Sequence, residues 1–227
     1  MNGAGVMFDL DGTLLDSLAD IANAANQVLA QRGFPQHSLT DYRHLVGEGV
    51  AVLFERGLPE PHRDSANIAA CVSDFRETYR HQWHLTSRPY NGILELLREL
   101  AAQGAVLAVL SNKPDEFTQQ CVAHFLPQVE FAAVAGMLPT IPRKPDPAGA
   151  LAIARQLDLP ANRWLYVGDT SIDMQTATRA GMFAVGVTWG FRGEPELRDN
   201  GAQAIIHHPS ELLTLIQKND ERPRGSY

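Results

Sequence analysis

Short apolar runs alternate with helical stretches along most of this chain, and that alternation constrains the fold more than any other feature. The runs are rich in β-branched and aromatic residues and occupy residues 6–8, 106–110, 131–134, 164–167, 183–187 and 204–206. Strands that are separated by helices pair in a parallel sheet, and the helices cover both of its faces. The sequence therefore predicts an α/β fold.

A helical territory lies between the first two of these runs. Residues 18–33, 39–58 and 64–83 read as helices, and no convincing strand separates them. Arg88 precedes a proline and so disfavours helix, which predicts that the segment ends near residues 86–89. We interpret the segment as a helical insertion that follows the first strand.

Composition limits the classes of protein to consider. With 227 residues and 44% hydrophobic content, the chain can bury a sizeable core. A formal net charge of −7 without clustered Lys and Arg argues against a nucleic-acid partner. Two cysteines, Cys71 and Cys121, are too few for a disulfide framework. Because the sequence has no signal peptide or long apolar span, we expect a cytoplasmic protein with no membrane partner. The polar tail at residues 218–227 is expected to fray.

Two carboxylates, Asp9 and Asp11, follow the first apolar run at a spacing of two residues. At the end of a strand such residues project to the same side, where like charges repel. A bound cation or a shared proton would stabilise the pair. Read alone, the motif is first to be taken as an Asp-Gly turn after a strand.

Further polar groups follow the later strands. They are Ser111, Asn112 and Lys113 after the second run, Lys144 in the segment RKPDP, and Asp169, Thr170, Ser171 and Asp173 after the fourth run. The carboxyl ends of parallel strands lie at one edge of a sheet, so we expect these groups to lie together. Carboxylates hold Mg²⁺, and hydroxyl and ammonium groups neutralise phosphate oxygens, so the set suits phosphoryl transfer.

Four of these segments, DLDGT, LSN, RKPDP and GDTSID, occur in the order of the four motifs of the haloacid-dehalogenase superfamily, whose phosphohydrolases the chain resembles. The resemblance implies a Rossmann-like parallel sheet core, at residues 1–16 and 87–227, with an inserted helical cap domain at residues 17–86. Three segments are similar to the corresponding segments of phosphoglycolate phosphatases: GEGVAVLFERGL, LAVLSNKPDEFT and RKPDP. The implied activity is that of a phosphoric monoester hydrolase.

The resemblance also implies roles in catalysis. Asp9 would attack phosphorus and form an aspartyl-phosphate, and Asp11 would act as general acid and then general base. Ser111 and Lys144 would bind the transferring phosphoryl group, and the backbone N–H of Asn112 would add a donor.

The implied cofactor is Mg²⁺. Asp9 and Asp169 would bind it through their carboxylates and Asp11 through its backbone carbonyl, with Asp173 nearby, either contacting these ligands or acting through a water. Each role has a plainer alternative: Ser111, Asp169 and Thr170 could be helix caps, Lys144 a solvated loop lysine, and Asp173 an acid in the first turn of a helix.

The implied partner is a small phosphorylated metabolite, with 2-phosphoglycolate first and a sugar phosphate second. Arg43, Arg56 and the loop at residues 47–49 are candidates for binding a substrate carboxylate, and that loop could equally be a plain interhelical turn. A sugar phosphomutase shares every core motif and stays open. Two other classes of protein fit the sequence less well. A signalling receiver domain would be about half this length, and a dehalogenase would have little use for Asp11 as a proton-transferring residue. Monomer and homodimer are both compatible with the sequence.

Overall fold

Six parallel strands form the central sheet of the computed structural model, which describes residues 4–220 and, within that range, the side chains of residues 4–216. The sheet strands are β1 (Gly5–Phe8), β4 (Val106–Pro114), β5 (Ala133–Met137), β6 (Trp164–Gly168), β7 (Phe183–Val187) and β8 (Ala204–Ile206), and β2 (Leu15–Asp16) and β3 (Arg88–Pro89) form a separate antiparallel pair. The order β5-β4-β1-β6-β7-β8 places β1 between β4 and β6. The predicted α/β fold with a Rossmann-like parallel sheet is confirmed.

Ten α-helices accompany these strands within the described residues. They are α1 (Leu18–Gln31), α2 (Leu39–Leu45), α3 (Val50–Gly57), α4 (Ser65–Arg80), α5 (Ile93–Ala102), α6 (Asp115–Phe125), α7 (Ala148–Gln156), α8 (Ser171–Ala180), α9 (Glu194–Asp199) and α10 (Glu211–Asp220). Along residues 4–220, no helix is both long and apolar enough to cross a membrane. The end of the polar tail, at residues 221–227, lies outside the described residues.

The sheet is buried on both faces, as its apolar strands require. Along β1, Val6 and Phe8 join one buried cluster with α5 and α10, while Met7 points to the other face and packs with α7 and α8. This alternation follows from the two-residue period of a strand. β4 and β6 both pair with β1 in parallel, so β1 lies in the interior of the sheet.

The four helices α1–α4 are inserted between β2 and β3 and pack around a buried cluster of their own. Asp20 in α1 is buried and accepts hydrogen bonds from the backbone N–H groups and hydroxyls of Thr86 and Ser87, at 2.6–3.0 Å. Although burial would raise the pKa of Asp20, these donors hold it below its usual value. The chain entering the insertion is thereby bonded to the chain leaving it.

Several element boundaries differ from the sequence prediction. The predicted helix at 39–58 is two helices, because Gly47 (φ 114°) and Gly49 (φ 89°) adopt backbone conformations outside the right-handed helical region. The predicted helix at 64–83 ends at Arg80.

The second and third predicted strands also end elsewhere. β4 continues past residue 110 to Pro114, and β5 covers Ala133–Met137 rather than 131–134. Gly136 of β5 lies close against α6: a Cβ there would come within 2.4 Å of the Asp115 Cα. The β2–β3 pair was not predicted, since two-residue strands have no periodicity to detect.

Candidate active site

The carboxyl ends of β1, β4 and β6 lie side by side, and each is followed by polar residues. Asp9 directly follows β1, and its backbone N–H donates to the Val167 carbonyl of β6 at 2.9 Å. Ser111, Asn112 and Lys113 lie in the last part of β4, whose register with β5 is interrupted between Leu110 and Pro114. The parallel sheet thus gathers the predicted motifs at one edge.

Lys144 joins two of the acidic residues. Its ammonium Nζ lies 2.9 Å from Asp9 Oδ1 and 2.7 Å from Asp173 Oδ1. The Lys144 side chain is only 3% exposed, which excludes the alternative of a solvated loop lysine. Asp173 Oδ2 meanwhile accepts from the backbone N–H and the hydroxyl of Thr170 at the start of α8, so Asp173 also serves as the first-turn acid of that helix.

Asp169 is fully buried beside this pair. Its carboxylate accepts from the Thr13 hydroxyl at 2.9 Å and from the Phe191 backbone N–H at 2.7 Å. Gly12 (φ 86°) and Gly190 approach so closely that a Cβ on either would lie 2.2–2.4 Å from Asp169 Oδ2. The carboxylate is therefore fixed by the loops after β1 and β7 rather than used as a helix cap.

Asp9, Asp169 and Asp173 together have the donor set of a divalent-metal site. One carboxylate oxygen from each lies within 4.8 Å of the others. With only the Lys144 ammonium among them, the ionised cluster has two more negative than positive charges. Oxygen ligands and a charge of this size fit Mg²⁺ or a similar hard cation.

The buried charges also shift one another's pKa values. Burial raises the pKa of the Asp9 carboxyl to about 7, and Asp173 adds to that shift. Burial raises the pKa of Asp169 well above its ordinary value, again helped by Asp173 and Asp9. Burial alone would lower the pKa of the Lys144 ammonium, but Asp173 and Asp9 outweigh it and raise that pKa. In the absence of a cation, the cluster therefore tends to hold a proton near neutral pH.

The Asp11 carboxylate is not a member of the acidic cluster and has partners of its own. It accepts from the Ser17 hydroxyl at 2.6 Å and from Lys113 Nζ at 2.9 and 3.0 Å. The sequence motifs assign no role to Lys113, whose side chain is 4% exposed. Its position beside Ser111 was the available signal; its partners lie too far along the chain to be found by motif.

Ser111 and Asn112 are buried at the end of β4. The Ser111 hydroxyl accepts the Lys113 backbone N–H at 3.2 Å, and α6 begins only at Asp115, so Ser111 is not its cap. The Asn112 side chain spans two segments: it accepts the Lys144 backbone N–H at 2.9 Å and donates to the Gly47 carbonyl at 3.1 Å. Asn112 thus ties the Lys144 loop to the inserted helices.

A cavity that is partly open to solvent lies between the sheet edge and the inserted helices. Polar groups line its sheet side, and apolar residues of the insertion line the other: Ile21, Val46, Val50, Leu53 and Phe75. Gly47 and Gly49 form part of the lining, so the loop at 47–49 faces the cavity.

The two arginines considered for substrate binding lie elsewhere. Arg56 forms an ion pair with Glu48, and Arg43 lines a separate surface depression with Asp16 and Arg88. Lys113 is the only cationic side chain among the residues that line the cavity in the described part of the chain.

Comparisons with known proteins agree with this geometry. Residues 6–187 match the family model described as haloacid dehalogenase-like hydrolase. Proteins named phosphoglycolate phosphatase from Pseudomonas putida KT2440 and Caulobacter vibrioides are 36% and 32% identical to this chain. The first alignment covers 84% of this chain and 71% of the relative, and the second covers 95% and 93%.

Solved structures give the same result. A crystal structure from Lactobacillus delbrueckii subsp. bulgaricus superposes with a TM-score of 0.88 at 31% identity, covering 95% of this chain and 99% of that one. A predicted phosphoglycolate phosphatase from Haemophilus somnus 129pt superposes with a TM-score of 0.86 at 28% identity, covering 95% and 98%. The chain therefore belongs to the haloacid dehalogenase-like hydrolases, as one of the phosphatases of that family.

Proposed function

We propose that this protein is a Mg²⁺-dependent phosphatase that hydrolyses 2-phosphoglycolate through an aspartyl-phosphate on Asp9. The observation that carries the proposal is the buried contact of Asp9 with Lys144, beside Asp169 and Asp173. The Lys144 ammonium, together with a divalent cation when one is bound, would neutralise the charge that otherwise keeps an anionic nucleophile from an anionic phosphate. Asp9 also lines the cavity, where an ester could reach it.

In the first step a carboxylate oxygen of Asp9 attacks phosphorus, and the ester P–O bond breaks. The leaving oxygen takes a proton from the Asp11 carboxyl, which lines the same cavity. Lys144 and the Ser111 hydroxyl bind the oxygens of the phosphoryl group during the transfer, with the Asn112 backbone N–H as a further donor.

In the second step water attacks the phosphorus of the aspartyl-phosphate. Its proton goes to the Asp11 carboxylate, the bond from phosphorus to Asp9 breaks, and phosphate leaves. Asp9 and Asp169 would hold Mg²⁺ with their carboxylates and Asp11 with its backbone carbonyl. Asp173 would steady both Lys144 and the metal site. When bound, the metal supplies charge neutralisation at the phosphate oxygens.

We further propose that residues 17–86 act as the cap and residues 1–16 and 87–227 as the catalytic core. Residues 16–17 and 86–87 would be the hinges, next to the contact of Asp20 with Thr86 and Ser87. Closure of the cap would exclude bulk water from the cavity.

The choice of 2-phosphoglycolate rests on the relatives, several of which carry that substrate in their names. The cavity suits a small ester because the inserted helices close one side of it. The first turn of α3 begins at Val50 on the cavity wall. Its backbone N–H groups are free to donate hydrogen bonds to a small carboxylate.

A phosphate-release screen tests the substrate. The expected result is that 2-phosphoglycolate has the highest kcat/KM among small phosphomonoesters, in the presence of Mg²⁺. The screen includes hexose phosphates and nucleotides and also measures isomerised sugar phosphate, the product of a phosphomutase. A ranking of 2-phosphoglycolate far below hexose phosphates would refute the substrate, and absence of phosphate release from every ester would refute the phosphatase.

Metal binding is expected to compete with protonation of Asp9. The pKa of Asp9 is 3.8 when it is unperturbed and about 7 in the folded protein. Between those values the metal-free folded state binds more protons than the unfolded state, so this group's contribution to the free energy of unfolding falls as pH rises from about 4 to 7.

Denaturant unfolding in a chelator checks this sign. We expect Asp9→Asn to be more stable than the wild type at pH 8 by a few kcal/mol, and by much less at pH 5, because the amide has no charge to bury. Added Mg²⁺ stabilises the wild type at pH 8 and not the variant. If the difference in the free energy of unfolding between Asp9→Asn and the wild type were the same at both pH values, the raised pKa of Asp9 would be contradicted.

A further inference from the structure

Lys113 has no part in the two chemical steps described above, although its ammonium is buried beside one of their reactants. Its Nζ makes three hydrogen-bond contacts. Two lead to Asp11, at 2.9 and 3.0 Å, and the third leads to the Tyr79 hydroxyl at 2.8 Å. A buried ammonium with this many contacts fixes the groups that it touches.

Asp11 is held from two directions by these contacts. Lys113, at the end of β4, donates to both carboxylate oxygens. Ser17, at the start of the insertion, donates through its hydroxyl to Oδ1 at 2.6 Å. A proton donor must lie within hydrogen-bond reach of the atom that it serves, and small displacements are costly. The position of Asp11 therefore depends on Lys113.

Tyr79 connects the same lysine to the inserted helices. It lies on α4, is 1% exposed, and stacks on Phe75 of the same helix with ring centroids 5.1 Å apart. The Tyr79 ring also makes a T-shaped contact with the ring of Phe117, with centroids 5.1 Å apart. Phe117 lies on α6, outside the insertion. Its hydroxyl is the partner that the insertion supplies to Lys113.

We propose that Lys113 is a positioning residue for Asp11, and that Tyr79 makes this positioning depend on closure of the cap. The continuous contact from Asp11 through Lys113 to Tyr79 carries the inference, which rests on the proposed phosphatase mechanism. When the cap is closed, Tyr79 orients the ammonium, and the ammonium orients the carboxylate that donates and accepts protons. Lys113 differs from Lys144, which contacts Asp9 and Asp173.

The roles of Lys113 and Lys144 can be distinguished with p-nitrophenyl phosphate as the substrate. Nitrophenolate leaves without needing a proton, so the first step on this ester proceeds without Asp11. The second step still needs Asp11 to take the proton of the attacking water. Loss of the positioning residue should therefore slow the second step and spare the first.

The experiment follows Lys113→Met by stopped flow in Mg²⁺. We expect a burst of about one equivalent of nitrophenolate at the wild-type rate, followed by a steady rate reduced about 10- to 100-fold, a typical range for impaired acid–base catalysis. The kcat for 2-phosphoglycolate falls at least as much. Affinity for beryllium fluoride stays at the wild-type level, because the phosphoryl-binding groups are intact.

Tyr79→Phe tests the connection to the cap and does not remove a charge. Losing the hydroxyl that accepts a hydrogen bond from the Lys113 ammonium should lower the steady rate about 5-fold. Tyr42→Phe is the matched control, since Tyr42 is also a buried tyrosine of the insertion and its hydroxyl donates to Asn26 at 2.9 Å, away from the cavity. We expect its rate to equal that of the wild type.

Three outcomes would overturn the inference. One is a wild-type steady rate in Lys113→Met, and another is loss of the burst together with beryllium fluoride affinity, which would make Lys113 a phosphate-binding group. The third is equal rates in Tyr79→Phe and Tyr42→Phe, which would remove the cap from the account. If Lys113→Met does not fold, Lys113→Gln carries the same test. A wild-type protein that releases no nitrophenolate in Mg²⁺ would instead refute the proposed function.

Discussion

Asp9→Asn should abolish phosphatase turnover while leaving the fold intact. The amide has nearly the same shape as the carboxylate, but it is a poor nucleophile, so we expect kcat to fall by about 10⁴-fold or more. The side chain lies between Lys144 and the Leu10 backbone N–H, which donates to Asp9 Oδ1 at 2.7 Å. An amide oxygen can accept from the same donors, so the circular dichroism spectrum should match that of the wild type.

Asp146→Asn is a suitable control for this variant. Asp146 is an exposed aspartate close to Lys144 in sequence, and its carboxylate accepts the Ala148 backbone N–H at 2.8 Å. The same loss of charge there should leave kcat unchanged. If Asp9→Asn kept a sizeable share of wild-type kcat with 2-phosphoglycolate, the aspartyl-phosphate mechanism would be wrong.

Lys144→Met is expected to damage both stability and phosphate binding. Without the ammonium, Asp9, Asp169 and Asp173 would be buried with no positive partner among them. Removing one partner of a buried ion pair typically costs about 3–5 kcal/mol, and protonation of the cluster would absorb part of that at low pH. Stability should therefore fall more at pH 8 than at pH 5, when measured in a chelator.

Beryllium fluoride titration measures the second effect. We expect its affinity for Lys144→Met to fall by more than about 10-fold, because a charge-assisted contact to the phosphoryl site is lost. Arg98→Met removes a cation from the exposed face of α5 and should bind the analogue as the wild type does. Equal affinities in Lys144→Met and the wild type would mean that Lys144 is only a structural residue.

The placement of the acidic residues could be predicted from the sequence because it depends on local patterns. Asp9 and Asp169 each follow an apolar strand, and a parallel sheet brings the carboxyl ends of its strands to one edge. The helical insertion was predictable for the same reason, since helical periodicity persists over many residues. Its division at Gly47 and Gly49 was missed because the apolar pattern continues across the break.

What could not be predicted depends on contacts between distant segments. The Lys113–Asp11 pair joins residues 102 positions apart, and the contact of Asn112 with the Gly47 carbonyl joins residues 65 positions apart. Such pairs require the inserted helices to lie on the sheet edge in one particular way. Motif spacing describes each segment separately and says nothing of which side chains meet. The locations of Arg43 and Arg56 outside the cavity lining are hidden from sequence for the same reason.

The most direct test of the mechanism is to trap the phosphorylated enzyme. Asp11→Asn, mixed with p-nitrophenyl phosphate and Mg²⁺ and quenched in acid, should accumulate the intermediate, because its second step lacks a base. Mass spectrometry of the digested protein should find one phosphoryl group, located on Asp9, and none in the double variant with Asp9→Asn. Burst release of nitrophenolate with no phosphoryl group on Asp9, or with the group on another residue, would contradict the account.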